Sequence, residues 1–380
     1  MKALIAGAGI SGLAAGIALR QTGMDVEVLE RSQEVREVGA GLMLWPNGTR
    51  ALQSLGVEIT ALSVQRISLR NWRGRQLTEA PLDSIAKRYG SGTALVHRAD
   101  LQAALLSSLG LDHVSLGSAA VGFEEHRSQV VVELQDGTVR TGDLLVGADG
   151  LRSVVRRQLM GDEDPVYLGS TVWRAIVSSN EIELPREVGI NWVGRGSEFL
   201  AFHLGGDRIY WAGVTKEPAG ERPGDRGHKV DLLQRFGSWA EPVPALITAT
   251  DEAAILRNDM YDRPPARYWS RGRVTLVGDA AHPMTPNQAQ GACQALEDAV
   301  AIGESVKRAS DLSEALGLYE RLRLRRANRV VTMSRQATRS VQIENPLLCI
   351  IRDTAIRLLP PSLMLRMLDT TLAPQPAAEN

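Results

Sequence analysis

Residues 1–30 read MKALIAGAGISGLAAGIALRQTGMDVEVLE, and the fold turns on this stretch. Ala3 to Ala6 are a short apolar run, Gly7, Gly9 and Gly12 punctuate the next segment, a helix-like pattern runs to Gly23, and Val26 to Leu29 end in Glu30. That order is strand, tight turn, helix, strand, the βαβ unit of a nucleotide-binding domain. Gly7 permits the sharp turn, Gly9 lets the backbone approach a pyrophosphate, and Gly12 lets helix and strand pack closely. The unpaired amides of the first helical turn, where Ser11 stands, favour phosphate charge. Glu30 lies where such a unit presents a carboxylate to ribose hydroxyls. Alone, the motif predicts a dinucleotide, leaves NAD and FAD both open, and keeps a structural turn without ligand as its alternative.

At roughly 150 residues per domain, 380 residues predict about two domains with substantial cores. Lys plus Arg number 43 against 44 Asp plus Glu, so nothing in the overall charge points to nucleic acid. The two cysteines, Cys293 and Cys349, form no CxxC or Cys/His cluster, which argues against a disulfide framework, a metal site and a redox dithiol, and fits a reducing, cytoplasmic setting. Met1 to Arg20 could pass for a signal peptide on composition, but the glycines sit where a nucleotide turn needs them. No stretch has the ~18 consecutive apolar residues of a membrane span.

Two later segments end strands in carboxylates. Val130 to Leu134, Asp136-Gly137 and Val139 to Thr141 read as a hairpin feeding the apolar run LLVGADG, which closes at Asp149-Gly150 before a helix with Arg152, Arg156 and Arg157. Val274 to Val277 form another buried strand, followed by Gly278-Asp279, a Pro-rich loop, and a helix with small residues at Ala292, Ala295 and Ala299.

Together GAGISG with Glu30, GADG and GDAAHP, in this order along most of the chain, resemble the single-component flavoprotein aromatic hydroxylases, the p-hydroxybenzoate hydroxylase-like family. The resemblance implies an α/β fold: a Rossmann-like, three-layer FAD-binding domain of the glutathione-reductase type, an inserted, mainly antiparallel β-sheet substrate domain and a C-terminal helical region. It assigns 1–72, 97–167 and 267–340 to the FAD domain, 73–96 and 168–266 to the substrate sheet, and 341–380 to the tail. The turn Gly7 to Gly12, with Ser11, would hold the FAD pyrophosphate, Glu30 the adenosine ribose, and Arg31 and Ala120 the adenosine side. Arg98, in VHRADLQ, would reach the phosphate and ribityl region, where a guanidinium fork suits the task. Asp149 matches a fingerprint shared by FAD and the pyridine nucleotide, and Asp279 the carboxylate on the ribityl chain; a structural strand-end aspartate is the alternative for each.

The loop Pro286 to Gly291 would pass the flavin edge and lead into a helix, with Gly291 and Ala292 at its N-terminus, whose dipole stabilises negative charge on reduced flavin. Many relatives carry glycine where Ala289 stands, so this sequence puts a methyl group at a position that often needs positive φ. Gly39-Ala40-Gly41-Leu42 resembles the segment beside the isoalloxazine, and Trp45-Pro46-Asn47 would start a helix.

Strand-like pieces at Ser170 to Ile176, Gly189 to Val193, Phe199 to His203 and Arg208 to Val214 predict the covering antiparallel sheet. The period of two puts Glu198, Leu200 and Phe202 on one face and Ala201 and His203 on the other, with Tyr210 across the hairpin. In urate-hydroxylating relatives an arginine and a tyrosine of this hairpin contact substrate; Tyr210 fits the tyrosine, and Glu198 stands in the arginine's place. His203 is a candidate base or a structural histidine. Trp173-Arg174 would contact substrate or support the domain interface.

The tail from Pro346 to Pro361 carries Leu347, Ile350, Ile351, Ala355, Leu358 and Leu359 at helical spacing. Packing on the FAD domain is its expected use, with peripheral membrane contact or oligomerisation as alternatives. The run Arg321 to Arg326 reads as a solvated helix face.

By resemblance, NADH or NADPH reduces FAD, O2 adds at flavin C4a, and the hydroperoxide transfers one oxygen atom to an electron-rich carbon of an aromatic or heteroaromatic molecule. Epoxidation or oxidative rearrangement of a natural product is the alternative within the family, and a non-redox flavin-retaining cyclase a more distant one. A plain NAD dehydrogenase would leave GADG and GDAAHP without a role. The expected partners are a small-molecule substrate and O2, with no nucleic acid, no metal, no integral span, and a monomer or homodimer.

Overall fold

The structure is a computed structural model that describes residues 1–34, 40–161, 164–180, 182–220, 227–360, 362–363, 366 and 371–373. Gly39 of the small-residue segment and Pro361 of the tail pattern lie outside the described residues.

The opening unit forms as β1 (Lys2–Ala6), α1 (Ile10–Arg20) and β2 (Asp25–Leu29). All of α1 but Ser11 and Arg20 is buried, which is why its sequence is apolar all round rather than striped. The chain continues through β3 (Gly41–Leu44), α2 (Pro46–Ser54), β4 (Leu62–Val64), β5 (Arg66–Asn71), β6 (Gln76–Pro81), α3 (Asp83–Tyr89), β7 (Thr93–His97), α4 (Arg98–Leu109) and β8 (Val114–Ser115). An antiparallel meander follows, β9 (Ala120–Glu125), β10 (Val130–Leu134) and β11 (Val139–Gly142), then β12 (Leu144–Gly147) and α5 (Val154–Met160).

The second half runs β13 (Val166–Ser178), β14 (Val188–Val193), β15 (Ser197–Gly205), β16 (Arg208–Lys216), α6 (His228–Phe236), α7 (Val243–Ala249), β17 (Leu256–Asp262) and β18 (Val274–Leu276). Three helices close it: α8 (Gly291–Arg308), α9 (Leu312–Val341) and α10 (Pro346–Leu358).

Two sheets position the site. The parallel sheet has the order β18-β12-β1-β2-β8, so the chain winds outward from β1 to one side and returns to build the other. Such a reversal leaves a crevice at the carboxyl ends of the central strands, here where Gly7 follows β1 and Asp149 follows β12. The larger sheet has the order β17-β13-β16-β15-β14-β5-β6 and is antiparallel except where β14 meets β5. Its two faces divide as the period of two requires. Trp173, Trp192, Phe199, Ala201 and Trp211 pack outward on Phe236 and Leu246, while Phe202, Tyr210, Ala212 and Val214 join the core of the nucleotide-binding half.

The structure corrects three expectations. β5 belongs to the larger sheet, although 66–71 was expected with the FAD segment, and β7 leaves that sheet to pair with β3 and β4. Only Gln65 separates β4 from β5, and the apolar phase slips by one residue there, from Leu62 and Val64 to Ile67 and Leu69, where the chain changes sheets. The arginine run on α9 is not a solvated face: Arg321 and Arg325 are exposed, but Arg323 is wholly buried and Arg326 partly so, both paired to acids of α8. The tail helix α10 packs on the β6 edge of the larger sheet, where Arg352 donates to the Gly194 carbonyl at 3.0 Å, rather than on the FAD domain.

Candidate active site

Gly7 takes φ of 102° after β1, and its amide donates to Leu29 O at 2.8 Å, closing the turn onto the neighbouring strand. The first turn of α1 follows with Gly9 at its N-cap and no side chain capping it. A Cβ on Gly9 would meet nothing within 4 Å, so the free amides of Ile10, Ser11 and Gly12 open onto unfilled space. Glu30 is held rigidly, accepting from Ala8 N at 2.8 Å and Ser32 N at 2.9 Å. Arg31 beside it is exposed, and Ala120 begins β9 just after a loop whose Ser118 amide donates to Glu30 O.

Arg98 opens α4, half-buried, and its guanidinium has no hydrogen bond or ion pair among the described residues. Burial pushes its pKa down, Asp279 opposes that shift and Arg174 adds to it. Asp279, on the turn after β18, is reached by solvent yet ringed by protein; burial pushes its carboxyl up against the pull of His282 and Arg98. His282 is fixed by Asp298 at 2.6 Å.

Asp149 is occupied differently from the other carboxylates. It accepts from Ser153 Oγ at 2.5 Å and from the amides of Val154 and Val155 at 2.7 and 3.3 Å, and so caps α5. Its expected contacts with FAD and pyridine nucleotide therefore compete with a capping duty.

The Pro286 loop is a single helical turn in which Pro286 is exposed and Ala289 adopts φ of 49°, the one non-glycine residue with positive φ among the described residues. The methyl group thus sits in the strained geometry that the sequence raised, at a cost of about 1–2 kcal/mol. The loop is pinned by Trp45 Nε1 on Gln288 O and by Asn47 Nδ2 on Gln290 Oε1. It delivers the N-terminus of α8, uncapped by any side chain, with Gly291 open where a Cβ would stand and Ala292 half-buried behind it.

Above this floor the larger sheet turns Tyr210 inward. Its ring lies directly on Gly41, where a Cβ would come within 2.5 Å of the ring, and Leu42 follows in β3. Phe202 packs against the ring at 5.1 Å. Burial pushes the phenol up, with Arg174 opposing. Arg174 donates to Asn258 Oδ1 at 2.8 Å, but its Nε is buried without a partner. His203, by contrast, is on the outer face, with Nε2 donating to Leu184 O at 2.8 Å, a structural histidine.

Glu198 is the inner-face group whose setting the sequence did not reveal. It is 5% exposed, and it accepts from Asn287 of the loop at 2.5 Å and from Asn191 at 3.4 Å. Asn287 in turn accepts from Thr338 of α9 at 2.8 Å, so Glu198 ties the covering sheet to the loop. Burial drives its pKa from 4.5 to about 7, against the two asparagines and Arg352. Asn191 Oδ1 is buried and unpartnered, and an amide flip would offer it to a protonated Glu198.

Because the folded state holds this proton more tightly than the unfolded chain, stability falls as pH rises from 4.5 to about 7. At about 1.4 kcal/mol per pH unit the penalty reaches ~3 kcal/mol. Glu198→Gln should therefore be more stable than wild type at pH 8 by a few kcal/mol, and near parity at pH 4.5. Thermal unfolding at the two pH values checks this; the same offset at both would refute it.

Two uncapped helix N-termini, glycines with open space beside them, an unpaired arginine and two carboxylates suit a pyrophosphate and hydroxyl-bearing chains, so the residues present fit FAD. A parallel nucleotide-binding sheet roofed by a mainly antiparallel one, with this site between them, defines an FAD-binding flavoprotein. The chain belongs to the FAD binding domain family, which matches residues 1–334. It is 38% identical over 365 residues to the aurachin C monooxygenase/isomerase of Stigmatella aurantiaca, covering 94% of each chain. It is 35% identical over 342 residues to the FAD-dependent urate hydroxylase of Klebsiella pneumoniae, covering 88% of this chain and 89% of that one. The structure of Klebsiella pneumoniae HpxO complexed with FAD and uric acid superposes with a TM-score of 0.94 at 32% identity, covering 99% of this chain and 97% of that chain. These relatives make the protein an oxidoreductase of the monooxygenase class.

Proposed function

We propose that the protein uses NADH or NADPH and O2 to hydroxylate an aromatic or heteroaromatic small molecule. The observation that carries this reading is the inner face of the covering sheet, which sets Tyr210 on Gly41 and Arg174 beside it, above an FAD-fitting floor. FAD, when bound, supplies the two-electron redox chemistry and the activation of O2.

The chain's own work is binding, orientation and exclusion of water. Gly7, Gly9, Ser11 and Gly12 would present the α1 amides to the pyrophosphate; Glu30, with Arg31 and Ala120 nearby, would hold the adenosine end. Arg98 and Asp279 would hold the ribityl region, with Asp149 shaping the turn between them. Pro286, Ala289, Gly291 and Ala292 would aim the α8 N-terminus at the flavin edge and favour negative charge there. Tyr210 and Arg174 would orient the reacting ring, and the apolar wall of Phe202, Ala212 and Val214 would keep water from it. Glu198 argues against an anionic group on the substrate at that end of the face and favours a hydrogen-bond donor. The two free, buried cysteines suit a cytoplasmic setting.

The test is consumption of NADH and NADPH by the FAD-loaded protein against phenols, hydroxypyridines, quinolones and purines, with product mass followed. Stimulated consumption with gain of one oxygen on a ring carbon is expected. Oxygen gained across an alkene would replace hydroxylation by epoxidation, and bound FAD with no stimulation across the panel would overturn the reading.

A further inference from the structure

Among the described residues twelve large apolar side chains are well exposed, and six of them lie in one short segment: Leu347, Leu348, Ile350, Ile351, Leu358 and Leu363. Scattered exposed leucines are ordinary, but such a cluster marks an interaction surface. On α10, Leu347, Ile351 and Leu358 follow the spacing i, i+4, i+11 on one face, with Leu348 and Ile350 flanking them. The opposite face carries buried Cys349 and the half-buried Arg352, Asp353 and Ile356. The helix therefore turns its broad apolar face to solvent and sets Cys349 and Ile356, with the Arg352 and Asp353 pair, against the protein. Asn345 caps it through the amides of Leu347 and Leu348, so the exposed face belongs to a well-started helix.

Beside that face lies a cavity of about 200 Å³ whose lining includes Trp72, Arg73, Arg195, Ile350, Arg352 and Asp353. Arg73 is held over the Trp72 ring at 4.7 Å. The Arg352 side chain is only 8% exposed; one nitrogen donates to Asp353 at 2.9 Å and to Gly194 O at 3.0 Å, but its buried Nη1 has no partner. The lining thus carries three guanidinium groups against the single carboxylate of Asp353, which is already paired with Arg352, so the cavity is cationic.

We propose that this face docks the protein on an anionic phospholipid membrane, with α10 lying in the plane of the surface. The leucines and isoleucines enter the boundary between headgroups and acyl chains, and a headgroup phosphate occupies the arginine cavity. No described helix is long and apolar enough to cross a membrane, so the contact is peripheral. Charge decides for a membrane over a second copy of the chain. A second copy of the same patch would bring three more arginines and only one more carboxylate into the contact, whereas an anionic surface satisfies both the apolar face and the cations.

The experiment is co-sedimentation of the FAD-loaded full chain with vesicles of phosphatidylcholine alone or in equal parts with phosphatidylglycerol, with oligomeric state followed by light scattering. Wild type should pellet with the anionic vesicles and stay in solution with the neutral ones. Leu347→Ser/Ile351→Ser should weaken anionic binding on the order of tenfold or more while keeping the wild-type flavin spectrum, which reports folding. Arg73→Gln/Arg195→Gln should lose the preference and stay largely in solution with both vesicle types. Absence of pelleting with either composition, or equal wild-type binding to both, would overturn the proposal. So would a wild-type dimer that ignores vesicles and that the apolar double variant makes monomeric.

Discussion

Replacing Arg323 by leucine should cost on the order of 3–5 kcal/mol of stability and loosen the protein's hold on FAD. Arg323 has no solvent exposure, and all three guanidinium nitrogens are used: Nε on Asp298 at 2.7 Å, Nη1 on Glu297 at 3.1 Å, and Nη2 on the Gln294 carbonyl and side-chain oxygens at 3.0 and 2.8 Å. Burial alone would push the Asp298 carboxyl up, but His282 and Arg323 reverse this and hold it below the usual range. Removing the arginine leaves that carboxylate buried with half its compensation. Asp298 also accepts from Gly278 N at 2.8 Å and from His282 at 2.6 Å, the two residues that bracket Asp279. A protonated or displaced Asp298 therefore disturbs the turn that presents Asp279 to the site. The expected readouts are an unfolding midpoint lower by roughly 5 °C and a lower flavin-to-protein ratio after gel filtration. Arg323→Lys should rescue only part, because an ammonium cannot match a fork that serves three partners. A leucine variant with the wild-type midpoint and full flavin would show that the cluster holds nothing in place.

What the sequence discloses and what it hides follow from the range of the interaction. The opening unit is legible because glycine spacing and apolar period are local, and the faces of β15 are legible because alternation is local too: Ala201 and His203 do lie opposite Phe202. Ala289 is legible for the same reason, since a methyl group at a position that calls for positive φ is a conflict within one residue. Arg323 is hidden because its acids are 25 and 26 positions away, and a run of arginines looks alike whether it faces water or carboxylates. Glu198 is half legible: its face follows from the strand, but its bond to Asn287 spans 89 positions. The outward face of α10 is illegible in principle, because a helical stripe states which residues share a side and not whether that side meets a core, a partner or a lipid surface.

Gly12→Ala should abolish useful flavin binding, and comparison with Gly9→Ala should show whether the loss comes from the fold or from the site. A Cβ on Gly12 would stand 1.9 Å from the Gly7 carbonyl oxygen and 3.2 Å from Ala148 Cβ, and neither is the end of a flexible side chain. Gly7 cannot yield easily, because its positive φ, its bond to Leu29 O and its own close approach to Ala148 O fix the turn. The helix must move instead, by more than an ångström, and it is buried along nearly its whole length against the parallel sheet and α8. Overpacking of this kind costs about 1–3 kcal/mol or more. The same movement carries the α1 amides away from the pyrophosphate, so flavin affinity should fall on the order of a hundredfold, about 2.7 kcal/mol. Gly9→Ala meets no protein atom within 4 Å, so the apoprotein should keep its unfolding midpoint while the new methyl group intrudes where the cofactor must approach. Flavin titration and apoprotein unfolding on both variants separate the two effects: affinity and midpoint fall together for Gly12→Ala, and affinity falls alone for Gly9→Ala. If Gly9→Ala bound FAD as tightly as wild type, the open space beside α1 would not be where the pyrophosphate lies.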